Sequence, residues 1–264
     1  MHTDRSSLLS GRALVTGGTS GIGLAFAKAL ATRGCDLVLV ARNPERLEST
    51  RAEFEASGTA CETLVADLNS DDGIAAVRAR LESADSPVEI LINNAGAGLS
   101  HPLATRDTGP LRDAVKLMGI APMEIGAVAA AVMSERGSGV IVNTSSVNGL
   151  VPMGAYSAVK AFVKVWSESL ALEVAPAGVH VTTFVPGWTR TEFHARSGKS
   201  TKGIPDFLWL DADDAVAACL ADVERGRTLS VPSKRYKVIS MLANKGPRGI
   251  VNKVANKITR GRSK

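Results

Sequence analysis

The 264-residue sequence predicts a doubly wound α/β fold, a single seven-stranded parallel sheet with helices on both faces. Short β-rich runs alternate with longer helical stretches along most of the chain. Several runs are apolar throughout, as strands covered on both faces must be. A cluster of glycines joins the first run to the first helical stretch, where such sheets commonly hold ligands at the carboxyl ends of their strands.

The elements follow in order. RALVT at 12–16 is the first strand, and Gly17, Gly18, Gly21 and Gly23 lead from it into an apolar helix at 21–33. DLVLVA at 36–41 is the second, and Asn43-Pro44 opens a helix over 44–57, where proline suits the first helical position. CETLVA at 61–66 is the third, with Ser70-Asp71 starting the helix at 71–83. VEILIN at 88–93 precedes a long helix at 107–135, and GVIVNTSS at 139–146 precedes another at 154–175. VHVTTFVP at 179–186, a helix at 211–224 and TLSVP at 228–232 complete the sheet.

The length suits one large domain, residues 1–233, followed by a basic tail at 234–264. With 45% hydrophobic and 22% charged residues, the composition is that of a globular protein, and no uninterrupted apolar run reaches the roughly 18 to 20 residues of a membrane span. The amino-terminal residues lack the charge and apolar order of a secretory signal, so a cytoplasmic location is expected. Cys35, Cys61 and Cys219 form no CxxC, and His2, His101, His180 and His194 are dispersed, so buried free thiols and no metal site are expected. The net charge of +5 is uneven: the 12 Lys/Arg from Arg225 onward face no acid, leaving 19 bases against all 26 acids in the first 224 residues.

The turn between the first strand and helix has the chemistry of a phosphate site. Glycines let the backbone approach a pyrophosphate, and a helix N-terminus supplies oriented N–H groups. The end of the second strand reads Val40-Ala41-Arg42-Asn43. An acid there would hold the 2′-hydroxyl of NAD(H), whereas Arg42 offers a cation to the 2′-phosphate of NADP(H). NADP(H) is therefore the expected cofactor.

TGxxxGxG at 16–23, NNAG at 93–96, NTSS at 143–146, YSAVK at 156–160 and PGWTRT at 186–191 occur in order. Together they closely resemble the short-chain dehydrogenase/reductase family, in its short single-domain branch, over roughly residues 10–230. The resemblance implies Tyr156 as general acid/base, Lys160 lowering its pKa and holding the nicotinamide ribose, and Ser146 hydrogen-bonding the substrate oxygen. A tyrosine near its ordinary pKa of about 10 is a poor acid/base at neutrality, which is why a lysine one helical turn away matters. Ser145 is the neighbouring candidate, and strand alternation turns only one of the two inward. The same resemblance places Gly17, Thr19, Ser20, Gly21, Ile22 and Gly23 at the phosphates, with Arg42 and Asn43 at the adenosine ribose. It places Asp67 and Leu68 at the adenine, Asn94, Ala95 and Gly96 along the cleft, and Pro186, Gly187, Thr189 and Thr191 by the nicotinamide. Asp67 alternatively serves the helix start near Ser70.

Two departures from the family pattern stand out. The position that carries an asparagine in the family's water relay holds Met118, whose thioether donates no hydrogen bond. Ser146 and Tyr156 are separated by nine residues, about three fewer than is usual in the family.

The loop at 192–210, ending in Phe207-Leu208-Trp209-Leu210, reads as a substrate lid. With Leu99, Met153, Trp188 and Phe193 it suggests a hydrophobic small-molecule substrate, unless these residues simply pack the core. Within the tail, Ile250, Val251, Val254 and Ile258 share one helical face while lysines occupy others. Such a helix lies on an anionic membrane, covers an apolar groove of its own domain or a partner, or remains a solubilising tail. Nucleic-acid binding is not expected, since no recognised motif for it occurs. The family's habit implies a homo-oligomer, dimer or tetramer, through the helices at 107–135 and 154–175. The expected activity is interconversion of a carbonyl and a secondary alcohol, with a weak nucleotide-binding pseudoenzyme or a tethered scaffold as the competing readings.

Overall fold

The computed structural model describes residues 8–193, 204–245 and 249. Seven strands form one parallel sheet in the order β3-β2-β1-β4-β5-β6-β7. They are β1 (Arg12–Thr16), β2 (Asp36–Ala41), β3 (Cys61–Val65), β4 (Ile90–Asn93), β5 (Gly139–Thr144), β6 (Val179–Phe184) and β7 (Leu229–Ser230). The order reverses between β1 and β4, whose registers pair Ala13 with Ile90 and Val15 with Ile92, and this switch point opens the crevice that holds the site.

Helices α1 (Gly21–Ala31), α2 (Pro44–Ala56), α3 (Asp71–Glu82), α4 (Gly109–Val115), α5 (Ala121–Arg136), α6 (Ala155–Val174), α7 (Ala212–Glu224) and α8 (Lys234–Lys245) flank the sheet. The local signals operate as expected: Asn43 accepts a hydrogen bond from Arg46 N–H at the start of α2, Ser70 from Gly73 N–H at the start of α3, and Asp211 from Asp213 N–H at the start of α7. The core splits into two layers. Phe26, Leu39, Phe184 and Val216 pack on one face of the sheet, and Leu14, Val38, Ile125 and Ile141 on the other.

The helix predicted over 107–135 contains a π-turn at Lys116–Ile120 between α4 and α5. The whole stretch Gly109–Arg136 is long and apolar enough, by length and composition alone, to cross a membrane. Part of its apolar surface packs inward, with Ile125, Ala129, Ala130 and Met133 of α5 buried against the sheet and neighbouring helices, while Val115 and Ile120 stay exposed. Cys35, Cys61 and Cys219 are free and buried; burial pushes Cys61 up to about 11 and also raises Cys35 and Cys219. Among the described residues no His/Cys/Asp/Glu group could hold a metal ion.

The first helix of the basic tail, α8, folds back onto the domain through buried Tyr236 and touches the short turn Val147–Leu150. The second amphipathic stretch, with Ile250, Val251, Val254 and Ile258, lies outside the described residues.

Candidate active site

A cleft of about 880 Å³ runs along the carboxyl ends of the strands. At one end the chain leaves β1 through Gly17, whose φ of +69° is a left-handed conformation that glycine adopts without strain. Gly21 has φ +52°. A Cβ on Gly23 would lie 2.1 Å from the Gly17 carbonyl oxygen, so only glycine lets α1 approach the turn this closely. Gly23 thus sits behind the cleft as a packing residue, while Gly17, Thr19, Ser20, Gly21 and Ile22 line it. Ser20 makes no side-chain cap and the first turn of α1 holds no acid, so the positive end of the helix borders the cleft without a charged side chain of its own to neutralise it.

Arg42 and Asn43 line the cleft beyond β2, with Leu68 beside them beyond β3. Asp67 does not. Its carboxylate accepts from Asn69 N–H at 3.0 Å, and its backbone carbonyl accepts from the Ser70 hydroxyl at 2.8 Å, so the residue builds the entry to α3 while Ser70 is the cap. Asn94, Ala95 and Gly96 form the wall beside β4. Thr16 fixes that wall: its hydroxyl accepts from Asn94 N–H at 2.9 Å and Ala95 N–H at 3.0 Å.

The opposite end gathers Ser146, Tyr156 and Lys160. The two serines after β5 turn opposite ways. Ser145 donates to the Lys160 carbonyl at 2.7 Å and anchors α6, while Ser146 lines the cleft with Tyr156 and accepts from Asn148 N–H at 3.2 Å. Lys160 is buried; its Nζ donates to the Thr144 carbonyl at 2.8 Å and lies 5.9 Å from the Tyr156 ring centroid. Burial pushes Tyr156 up to about 12 against the opposing effect of the Ser146 hydrogen bond. It pushes Lys160 down to about 8. Desolvation sets the direction in which the phenol is moved here.

Met118 sits in the π-turn, buried with Ala114 and Val159 and packed against Leu99, Leu117 and Tyr156. It makes an apolar wall where the family's asparagine would offer polar groups. The described polar partner of the Lys160 ammonium is instead the Thr144 carbonyl. The nine residues between Ser146 and Tyr156 fold into the 3-10 turn at Val147–Leu150, and this shortened link still lets the two side chains meet.

Pro186, Gly187, Thr189 and Thr191 line the third side of the cleft. Three residues that sequence reasoning did not assign to the cofactor side join them. Arg46, in the first turn of α2, donates to the Thr19 carbonyl at 3.0 Å and pairs with Glu192. Phe193 packs on Tyr156, with ring centroids 6.1 Å apart. Arg46 follows Arg42 by four residues at the start of α2, Phe193 reads from the sequence only as part of the apolar substrate side, and Glu192 carries no signal. Leu99, Trp188 and Phe193 line the cleft, but Met153 does not, its N–H being donated to the Ser157 hydroxyl. Residues 194–203 of the predicted lid lie outside the described residues.

The residues fit a dinucleotide. The cradle at Gly17 and Gly23 would close if either carried a side chain, Arg42 is exposed at the end where a 2′-phosphate would lie, and Thr144, on the cleft wall, has a buried hydroxyl with no protein partner.

The short chain dehydrogenase family model matches residues 12–202. Gluconate 5-dehydrogenase of Gluconobacter oxydans (strain 621H) is 36% identical over 201 residues, covering 74% of this chain and 77% of that protein. The very-long-chain 3-oxoacyl-CoA reductase of Anas platyrhynchos is 35% identical over 189 residues, 68% of this chain and 60% of the longer relative. A short-chain dehydrogenase from Sphingobium yanoikuyae, solved in complex with NADPH, superposes with a TM-score of 0.80 at 36% identity, covering 87% of this chain and 92% of that one. With the parallel sheet, the glycine turn and the Ser-Tyr-Lys cluster in one cleft, these matches show that the chain belongs to the short-chain dehydrogenase/reductase family of nicotinamide-dependent oxidoreductases.

Proposed function

We propose that this protein is an NADP(H)-dependent oxidoreductase that interconverts a carbonyl and a secondary alcohol on an apolar or lipid-like substrate. The observation that carries this reading is one cleft with Arg42 at one end and Ser146 and Tyr156, backed by Lys160, at the other. Bound NADPH supplies the hydride. Negative charge then develops on the substrate oxygen, and the protein must deliver a proton there. Tyr156, a phenol already protonated at neutral pH and raised further by burial, is the donor. Ser146 orients the oxygen and the phenol together. Lys160, fixed by the Thr144 carbonyl, holds positive charge behind the phenol and reaches the ribose side of the cleft. Leu99, Trp188 and Phe193 exclude water and favour an apolar chain, in keeping with the acyl-chain substrate that the name of the Anas relative implies for that protein.

A spectrophotometric screen of NADPH oxidation over ketones, 3-oxoacyl thioesters, steroids and quinones tests the activity. Turnover of at least one class, abolished by Tyr156→Phe, is expected. Tight NADPH binding with no consumption of NADPH across the panel would instead identify a pseudoenzyme.

The protein acts as a homo-oligomer in this reading. Phe162, Val165 and Leu172 of α6 are exposed beside exposed Val115 and Ile120, an apolar surface suited to a second copy. The outer face of α8 serves a different partner. Val238, Ile239, Met241 and Leu242 are exposed there with Lys234, Arg235 and Lys237, in a tail without a single acid, which suits an anionic membrane surface and repels a second copy of itself. Co-sedimentation of the full chain with phosphatidylserine-containing vesicles, but not with neutral ones, is expected. Met241→Glu with Leu242→Glu should abolish it, and pelleting unchanged by these substitutions would remove the membrane role.

A further inference from the structure

Tyr236 lies 80 residues beyond Tyr156, at the start of the basic tail, yet it is one of the most thoroughly buried polar side chains of the protein, with 3% of its surface exposed. Its ring lies directly over Gly187: a Cβ on that glycine would come within 2.0 Å of the Tyr236 Cζ, so the pair fits only because residue 187 has no side chain. The Tyr236 hydroxyl accepts from Trp188 N–H at 3.0 Å and donates to the Leu208 carbonyl at 2.7 Å. Both hydrogen-bonding roles of the phenol are therefore spent on backbone.

The two segments it joins border the cleft in different ways. Pro186, Gly187, Trp188 and Thr189 line the cleft directly, whereas Leu208 ends the 3-10 turn Asp206–Leu208 that leads into Leu210, the residue bridged to Thr189. Leu210 N–H donates to the Trp188 carbonyl at 2.7 Å, and Arg190 N–H donates to the Leu210 carbonyl at 2.9 Å. Tyr236 closes this small ladder from behind and so sets how far the 186–189 backbone projects into the cleft. On its other side α8 touches the Val147–Leu150 turn, which follows Ser146. One helix thus braces both loops that flank the reacting end.

We propose that Tyr236 is a positioning residue for the nicotinamide half of the cofactor, acting through Gly187 and Trp188, and that α8 is part of the working site. This rests on the reading that 186–191 receives the nicotinamide of NADP(H). Removing the hydroxyl in Tyr236→Phe keeps the ring on Gly187 but orphans the Trp188 N–H and the Leu208 carbonyl, a loss that typically weakens a dependent interaction by about tenfold.

The test compares two ligands by titration of wild type and Tyr236→Phe. NADPH spans the whole cleft, whereas adenosine 2′,5′-bisphosphate occupies only the end with Arg42. NADPH should bind Tyr236→Phe about tenfold more weakly while the bisphosphate binds within about twofold of wild type. The KM for NADPH should rise with it. Equal weakening of both ligands, or loss of both because the variant does not fold, would mean that Tyr236 only stabilises the fold. Unchanged NADPH affinity would overturn the proposal outright. Failure of wild type to bind the bisphosphate would sink the cofactor reading itself, and the role of Tyr236 with it.

Discussion

Glu192 reaches across the cleft mouth and holds Arg46 with both carboxylate oxygens, at 2.7 and 3.0 Å, joining residues 146 apart in the sequence. Arg46 also donates to the Thr19 carbonyl in the phosphate turn, so the segment after β6 is tied to the rim of the dinucleotide end. Glu192 is the only carboxylate among the described residues that line the cleft. Glu192→Gln should therefore strengthen NADPH binding by about two- to fivefold, more at low salt than at high salt, because it removes a negative charge that opposes the phosphates. Fluorescence titration at two salt concentrations checks this, and weaker binding would assign the pair a closing role instead.

Arg42 decides between the two dinucleotides in this reading. Arg42→Ala should reduce the preference for NADPH over NADH by about 10- to 100-fold, the range of one lost charge-assisted contact. The ratio of kcat/KM with the two cofactors measures it. An unchanged ratio would transfer the role to Arg46.

The reacting end predicts both a mutational effect and a pH profile. Tyr156→Phe should lower kcat by about a hundredfold or more while leaving NADPH affinity within a few-fold. Burial holds Tyr156 near 12 and Lys160 near 8, so below pH 8 the phenol is protonated and the lysine carries its charge. As pH rises through about 8 the lysine loses its proton while the phenol keeps its own. Reduction should consequently decline above pH 8, and Lys160→Arg, which stays charged, should remove that decline even where its absolute rate is lower.

Gly23→Ala tests the close approach of α1 to the phosphate turn. A methyl group 2.1 Å from the Gly17 carbonyl and 2.6 Å from the Asn94 Nδ2 forces the helix away from the turn. A loss of about 1–3 kcal/mol in stability is expected, with weakened NADPH binding. Thermal unfolding with and without NADPH measures both, and an unchanged Tm would mean that the turn relaxes at little cost.

Much of this protein could be read from its order of residues. Periodicity marks the strands and helices to within a few residues, because a strand buried on both faces must be apolar and a helix start must satisfy its own N–H groups, as Asn43, Ser70 and Asp211 do. The glycine turn, Arg42 and the Tyr156-Lys160 spacing are local patterns and were legible for the same reason. For Asp67 the sequence left two roles open, and the folded chain shows its carboxylate accepting from Asn69 N–H and its carbonyl from the Ser70 hydroxyl at the entry to α3.

What the tertiary structure alone decided lies in contacts between distant segments. The pairing of Arg46 with Glu192, Tyr236 against Gly187, and the direction in which burial moves Tyr156 and Lys160 depend on which surfaces meet. The sequence by itself marked the strand and helix segments, the glycine turn and the Tyr156–Lys160 spacing, because each is set within a few neighbouring residues. The height of the 186–189 loop and the charge states of Tyr156 and Lys160 are properties of the space those elements enclose, and no stretch of neighbouring residues contains that information.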